Sequence, residues 1–224
     1  MASLEEIRST RLEKLQKLKD AGVNPYPTTT GREYEISHIV ANFEQLSGMK
    51  SLTLAGRVMS IRPQGGLIFL NIQDGTGRFQ GLLKKDEMNE SSFELFSDTV
   101  DIGDFVELTG SLFVTKRKEQ TLKTDSWKML SKSLRPLPEK WHGLQDLEER
   151  FRRRYLDTLM STEVRDRFIL RSRMITEIRN YYNERGYIEV ETPRLQTVAG
   201  GATAKPFVTH HNALGADFYL TIAQ

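Results

Sequence analysis

The stretch LIFLNIQDGTGRFQGLL, residues 67–83, contains two side chains with the chemistry to hold a planar ring. From Leu67 to Gln73 the apolar residues Ile68, Leu70 and Ile72 recur at every second position, so they share the core face of a strand. Phe69 is then turned to the other face, beside Leu67 and Asn71. An outward phenylalanine is a platform on which a nucleic-acid base can stack, worth about 1–3 kcal/mol per base. In the next run Phe79 and Leu83 take the inward parity and Gln80 the outward one. A glutamine amide donates and accepts at once, so it can read a base edge. The alternative is that Phe69 packs beneath an N-terminal helix and Gln80 is a plain surface residue.

A second stretch with chemical content is GYIEVETPRLQTVAGGATAKPFVTHHNAL, residues 186–214. Ile188 and Val190 alternate with Glu189 and Glu191, which predicts a half-buried strand over Tyr187–Thr192 that Pro193 ends. The small residues Ala199-Gly200-Gly201-Ala202 form a loop whose backbone can approach a ligand closely, or else a simple tight turn. His210 and His211 are neighbours on one strand, so they point to opposite faces and do not readily share a metal ion; the reading is structural. The chain has no cysteine, which excludes disulfides, thiolate metal sites and a thiol nucleophile. A net charge of +2 over 224 residues neither demands nor opposes a nucleic-acid partner.

The elements that position these residues follow from periodicity. Residues 3–20 predict a helix with Leu4, Ile7, Leu12, Leu15 and Leu18 on one face, stopped by Gly22 and Pro25. Arg8, Arg11, Lys14 and Lys17 recur every third residue along it, either as a rail for RNA phosphates or as a solvated face. Residues 24–36 are an extended connection, and a short helix is expected over Ser37–Leu46. Strands are predicted over Leu52–Ile61, Leu67–Gln73, Arg78–Lys84, Phe105–Lys116 and Gln120–Leu130, with a helix over Asp86–Ser97. Three strands, a helix and two strands is the order of an OB-fold. Arg135-Pro136-Leu137-Pro138 is stiff. After it, Arg150, Arg152, Arg153 and Arg154 either meet phosphate or pair with Glu148, Glu149 and Asp157 in a hinge, the second reading being preferred. Thr162–Arg185 predicts a long helix with Val164, Phe168, Ile175, Ile178 and Tyr182 in one stripe and Gly186 as its C-terminal cap.

Taken together, Gly186, the strand and Glu191-Thr192-Pro193 resemble the first signature motif of class II aminoacyl-tRNA synthetases. GGATAKPFVTHHNAL and LRPLPEKWHGLQDLEERFRRRYLD (Leu134–Asp157) resemble the corresponding segments of lysyl-tRNA synthetases, and the resemblance covers nearly the whole chain. It implies a five-stranded OB-fold barrel that binds the anticodon, followed by the start of a class II antiparallel α+β catalytic domain. Subclass IIb enzymes read the middle anticodon base, a uridine, with an arginine, a stacking phenylalanine and a glutamine. By position these resemble Arg62, Phe69 and Gln80, with Glu119 a further anticodon candidate. Gly201, with Gly200, resembles the loop whose backbone contacts bound lysine. Two positions depart from the family pattern: Gly215, where an acidic residue is usual, and Gln224, where proline is usual.

The implied organisation is an N-terminal extension over 1–48, the anticodon-binding barrel over 49–134, a linker over 135–160 and the beginning of the catalytic domain over 161–224. The implied activity is ATP-dependent ligation of lysine to tRNA(Lys) with Mg²⁺, in a homodimer formed through residues 162–193. The catalytic arginines and the Mg²⁺ ligands are expected beyond Gln224, so no catalytic or metal residue is expected within the chain. The run Phe218–Ala223 reads as a strand cut short, which predicts a piece of a longer protein that is inactive alone. No apolar run approaches the roughly 20 residues of a membrane helix, and the expected location is the cytoplasm. The alternatives are a non-catalytic tRNA-binding paralogue and an aspartyl or asparaginyl enzyme.

Overall fold

A computed structural model describes residues 3–138 and 144–223, which divide into two compact units between Gly143 and Leu144. The first unit opens with helix α1, Leu4–Asp20. The Ser3 hydroxyl accepts from the Glu6 N–H while the Glu6 carboxylate accepts from the Ser3 N–H, a reciprocal cap on the first turn.

The face α1 turns to the barrel is only part of the predicted leucine stripe: Ile7 and Leu15 are half-buried beside it. Leu18 and Arg11 are buried, whereas Leu4 and Leu12 are exposed. The reason is polar. Arg11 donates to the carbonyls of Ile102, Ser133 and Arg135 at 3.0–3.1 Å, and Lys14 reaches Asp101 at 2.6 Å. Open carbonyls at the barrel rim need donors, and a long cation supplies them. The basic stripe is therefore broken as a phosphate rail, because its two middle members are engaged by the protein.

Two short helices, α2 (Ile36–Ala41) and α3 (Phe43–Leu46), lead into the barrel. Its strands are β1 (Leu52–Gln64), β2 (Leu67–Gln73), β3 (Arg78–Lys84), β4 (Phe105–Val114) and β5 (Gln120–Ser131). They close in the order β1-β2-β3-β5-β4, with β3 and β5 parallel and the other pairs antiparallel. Ile68, Leu70 and Ile72 enter the core as their alternation predicts, together with Phe79 and Leu83. Helix α4, Glu90–Thr99, buries Phe93 and Phe96, and the Phe96 ring meets Trp127 edge-on at 5.0 Å. The Asp74 carboxylate closes the β2–β3 hairpin by accepting from the Thr76 and Gly77 N–H groups, and its other oxygen accepts from Ile36 at the start of α2.

Under α1 lies a buried ion cluster. Lys132 donates to Asp101 at 2.6 Å, to Asp104 at 2.7 Å and to the Thr99 carbonyl at 2.7 Å. Burial works against the ionised form of Asp101, but hydrogen bonds and charge from Lys132 and Lys14 outweigh it and hold the carboxyl below the ordinary aspartate range. Asp74 has the same sign: burial opposes ionisation, and bonds from Ile36, Thr76 and Gly77 prevail. A folded-state value below the unfolded one contributes stability that is present above the unfolded value and lost as pH falls through the folded value. The urea midpoint of the chain should therefore be lower at about pH 3 than at about pH 6, and Asp101→Asn should flatten that difference.

The second unit begins with helices α5 (Leu147–Arg152), α6 (Arg154–Met160) and α7 (Thr162–Asn183). The arginine-rich segment pairs internally. Asp157, almost fully buried, accepts from Arg150 at 3.0 Å and Arg154 at 2.6 Å, while Arg152 meets Glu148 and Arg153 meets Glu149. After α7 the Gly186 N–H donates to the Asn183 carbonyl and the Tyr187 N–H to the Tyr182 carbonyl, the bond pair expected of a glycine-ended helix. Of the predicted stripe on α7, only Val164 is buried.

Residues 187–192, expected to form a strand, run without a ladder, leaving Ile188 86% and Val190 72% exposed. A strand exists only by pairing, and no described strand pairs with this segment. Arg179 instead grips Glu189 through both carboxylate oxygens. A three-stranded sheet follows, ordered β6 (Leu195–Gln196), β8 (Ala216–Leu220), β7 (Val208–His211). The expected strand over Phe218–Ala223 thus stops at Leu220, because the Thr221 N–H and hydroxyl turn to the backbone carbonyls of Pro193 and Arg194. Gly215 closes the β7–β8 hairpin with φ +58°, and Gln224 lies outside the described residues.

Candidate nucleic-acid interface

The outward parity of β1, β2 and β3 places three of the predicted residues side by side. In the strand register Arg62 is opposite Phe69, Phe69 is opposite Leu82, and Gln80 is opposite Thr121 of β5. Thr121 in turn is opposite Phe113 of β4. Arg62, Phe69, Gln80, Leu82 and Phe113 line one depression of about 410 Å³, a volume that admits a nucleobase, and Gln64, Thr115, Lys116, Arg117 and Glu119 complete its wall, with Thr121 buried behind Gln80. Arg62, Phe69, Gln80 and Glu119, the expected anticodon residues, therefore line one depression. Its lining carries three cations, Arg62, Lys116 and Arg117, against the single carboxylate of Glu119.

Each side chain is held in a way that bears on its use. Phe69 is half-buried and does not belong to the core cluster, so it does not pack beneath α1. Gln80 lines the outer depression, yet it is 9% exposed rather than a free surface group. Its Oε1 accepts from Arg62 Nη2 at 3.3 Å and its Nε2 donates to Thr121 Oγ1 at 2.8 Å. Glu119 is exposed on the β4–β5 turn, which the Thr115 N–H and the Glu119 carbonyl close at 3.0 Å. The site thus combines a ring platform, a positioned amide, a guanidinium and a cationic rim, the components with which proteins bind unpaired bases and the backbone beside them.

Sequence reading missed Leu82, Phe113 and Thr121. Leu82 follows Gln80 by two residues and was legible by parity. Phe113 and Thr121 enter only through the pairing of β5 with β3 and β4, which no local pattern states.

In the second unit Gly201 has φ +110°, and a Cβ added there would stand 3.1 Å from the Ala223 nitrogen; at Gly200 it would meet nothing within 4 Å. The close backbone approach at Gly201 is thus made by the chain's own Ala223. His210 Nδ1 lies 2.8 Å from Asp217, and His211 packs its ring on Phe218, so the two histidines engage different partners. Among the described residues no group of three or more His, Cys, Asp or Glu is placed to hold a metal ion. No helix among them is long and apolar enough to cross a membrane.

Residues 52–130 match the OB-fold nucleic acid binding domain family, and residues 146–224 match the class II tRNA synthetases (D, K and N). Lysine–tRNA ligase of Dehalococcoides mccartyi is 45% identical over 224 residues, covering 98% of this chain and 45% of that protein. Those of Pelotomaculum thermopropionicum and Carboxydothermus hydrogenoformans are each 46% identical over 220 residues, with 98% of this chain covered and 43% and 45% of the relatives. The chain thus spans less than half the length of these relatives. An OB-fold barrel followed by the opening part of a synthetase domain, matched at this identity along 98% of the chain, places it in the class II tRNA synthetases (D, K and N), and its relatives there are lysine–tRNA ligases.

Proposed function

We propose that the chain is the N-terminal portion of a lysine–tRNA ligase, which joins lysine to tRNA(Lys) with conversion of ATP to AMP and diphosphate. In this reading the barrel holds the anticodon, with the middle uridine stacked on Phe69 and its edge met by Gln80 and Arg62, while Glu119 contacts a neighbouring base. The observation that carries it is that these four residues line one depression on an OB-fold. Gly200 and Gly201 belong to the lysine pocket, and ATP and Mg²⁺ are the cosubstrate and cofactor of the whole enzyme. The apolar residues left exposed on α7 and at Ile188 and Val190 suit a homodimer interface over residues 162–193. The location is cytoplasmic.

Phe69→Ala should weaken binding of a lysine-tRNA anticodon stem-loop by about 1–3 kcal/mol with little loss of thermal stability. Fluorescence anisotropy and a melting curve on the same variant check both halves. A variant that binds normally, or one that unfolds the barrel, contradicts the reading of Phe69.

A further inference from the structure

We infer that Thr121, a fully buried residue of β5, is the positioning residue that fixes the polarity of the Gln80 amide and with it the choice between uracil and cytosine; the inference rests on the anticodon reading above. A glutamine amide can rotate by half a turn and exchange its oxygen and nitrogen with almost no change of shape. Here both neighbours forbid the exchange. Arg62 can only donate, so the amide end at 3.3 Å from its Nη2 must be the oxygen. Thr121 has one hydroxyl proton, which it donates to the Glu119 carbonyl at 3.2 Å. Its oxygen is therefore left to accept, and the amide end 2.8 Å away must be the nitrogen.

The consequence is chemical. Uracil carries an N–H at ring position 3 between two carbonyls, whereas cytosine carries a bare nitrogen there and an amino group beside it. For a ring seated on Phe69, an amide oxygen held toward Arg62 offers an acceptor beside a donor. That pair suits the N–H and carbonyl of uracil and opposes the bare nitrogen of cytosine at the same place. Without the Thr121 hydroxyl only Arg62 orients the amide, and the rotated form, with its nitrogen toward the base, becomes available to cytosine. Leu82 and Phe113, which also line the depression, have no polar group to replace it.

Thr121→Val keeps the volume and removes the hydroxyl. The Glu119 carbonyl keeps its bond from the Thr115 N–H, so the turn remains closed. The test is the ratio of affinities of this chain for anticodon stem-loops with U or C at the middle position, measured at one salt concentration. Thr121→Val should lower the U-over-C preference roughly fivefold or more, with Thr121→Ser keeping the wild-type ratio. If the valine variant does not fold, as judged by its melting curve, Thr121→Ala provides the same measurement with space in place of bulk. A wild-type preference that survives in the variant overturns the inference and leaves the anticodon reading standing, as does a uniform loss of affinity with the ratio unchanged. A wild type that binds both stem-loops equally overturns the anticodon reading and the inference together.

Discussion

Lys132→Ala is expected to destabilise the first unit by about 3–5 kcal/mol, the cost of breaking a buried ion pair from one side. Lys132 and Asp104 side chains are both 0% exposed, with 2.7 Å between Nζ and Oδ2. Asp104 also accepts from the N–H groups of Asp101 and Ser133, so it cannot turn toward water when the cation is removed. Lys14 still reaches Asp101 but has no bond to Asp104. The effect should extend to α1, because the Asp101 carboxylate that Lys132 holds also receives Lys14. Burial, not charge, decides the size. Glu148→Gln removes the equally short Arg152–Glu148 pair, whose side chains are 76% and 67% exposed. It should cost under about 1 kcal/mol. Urea unfolding of the two variants checks the contrast, and comparable losses would contradict it.

Gly110→Ala should cost about 3 kcal/mol or more, at the top of the range for overpacking. A Cβ at this position would lie 1.8 Å from the Lys123 carbonyl oxygen and 2.8 Å from its carbon, all backbone of the paired strand. No rotamer relieves such a contact, so β4 and β5 must separate where their register already shifts, between Thr109 and Gly110. Thr121 lies two residues from Lys123 on β5, so stem-loop binding should fall along with the melting temperature. Gly75→Ala is the control: its Cβ meets nothing within 4 Å, and the change should stay within about 0.5 kcal/mol. A Gly110→Ala protein with a wild-type melting curve would show that the two strands do not approach as described.

What could be read from the sequence was what local pattern decides. The bounds of β2 and β3 and the opposite parities of Phe69 and Ile68 follow from alternation within one segment, and the hairpin between them from its Asp-Gly turn residues. Leu18 on the buried face of α1 was legible too, but Arg11 beside it was not, because it is buried by carbonyls that arrive from residues 102, 133 and 135. Lys132, Asp101 and Asp104 form one cluster only after the barrel closes, and no local pattern joins them. The extended segment after Gly186 has the alternation of a strand but no partner strand among the described residues, and alternation alone does not make a ladder. At the candidate site the aromatic and the amide were legible by parity. Arg62 and Glu119 came from resemblance, and Thr121 needed the parallel pairing of β3 with β5.

We propose that the depression on the barrel reads a uridine at the middle of an anticodon. The most direct test is the affinity of the unmodified chain for lysine-tRNA anticodon stem-loops that differ only in that base, at fixed salt. The uridine form should bind more tightly than the other three by about 1–3 kcal/mol, roughly fivefold to more than a hundredfold. Equal affinities for all four would show binding by phosphate charge alone and would contradict the assignment of Arg62, Phe69 and Gln80 to base recognition.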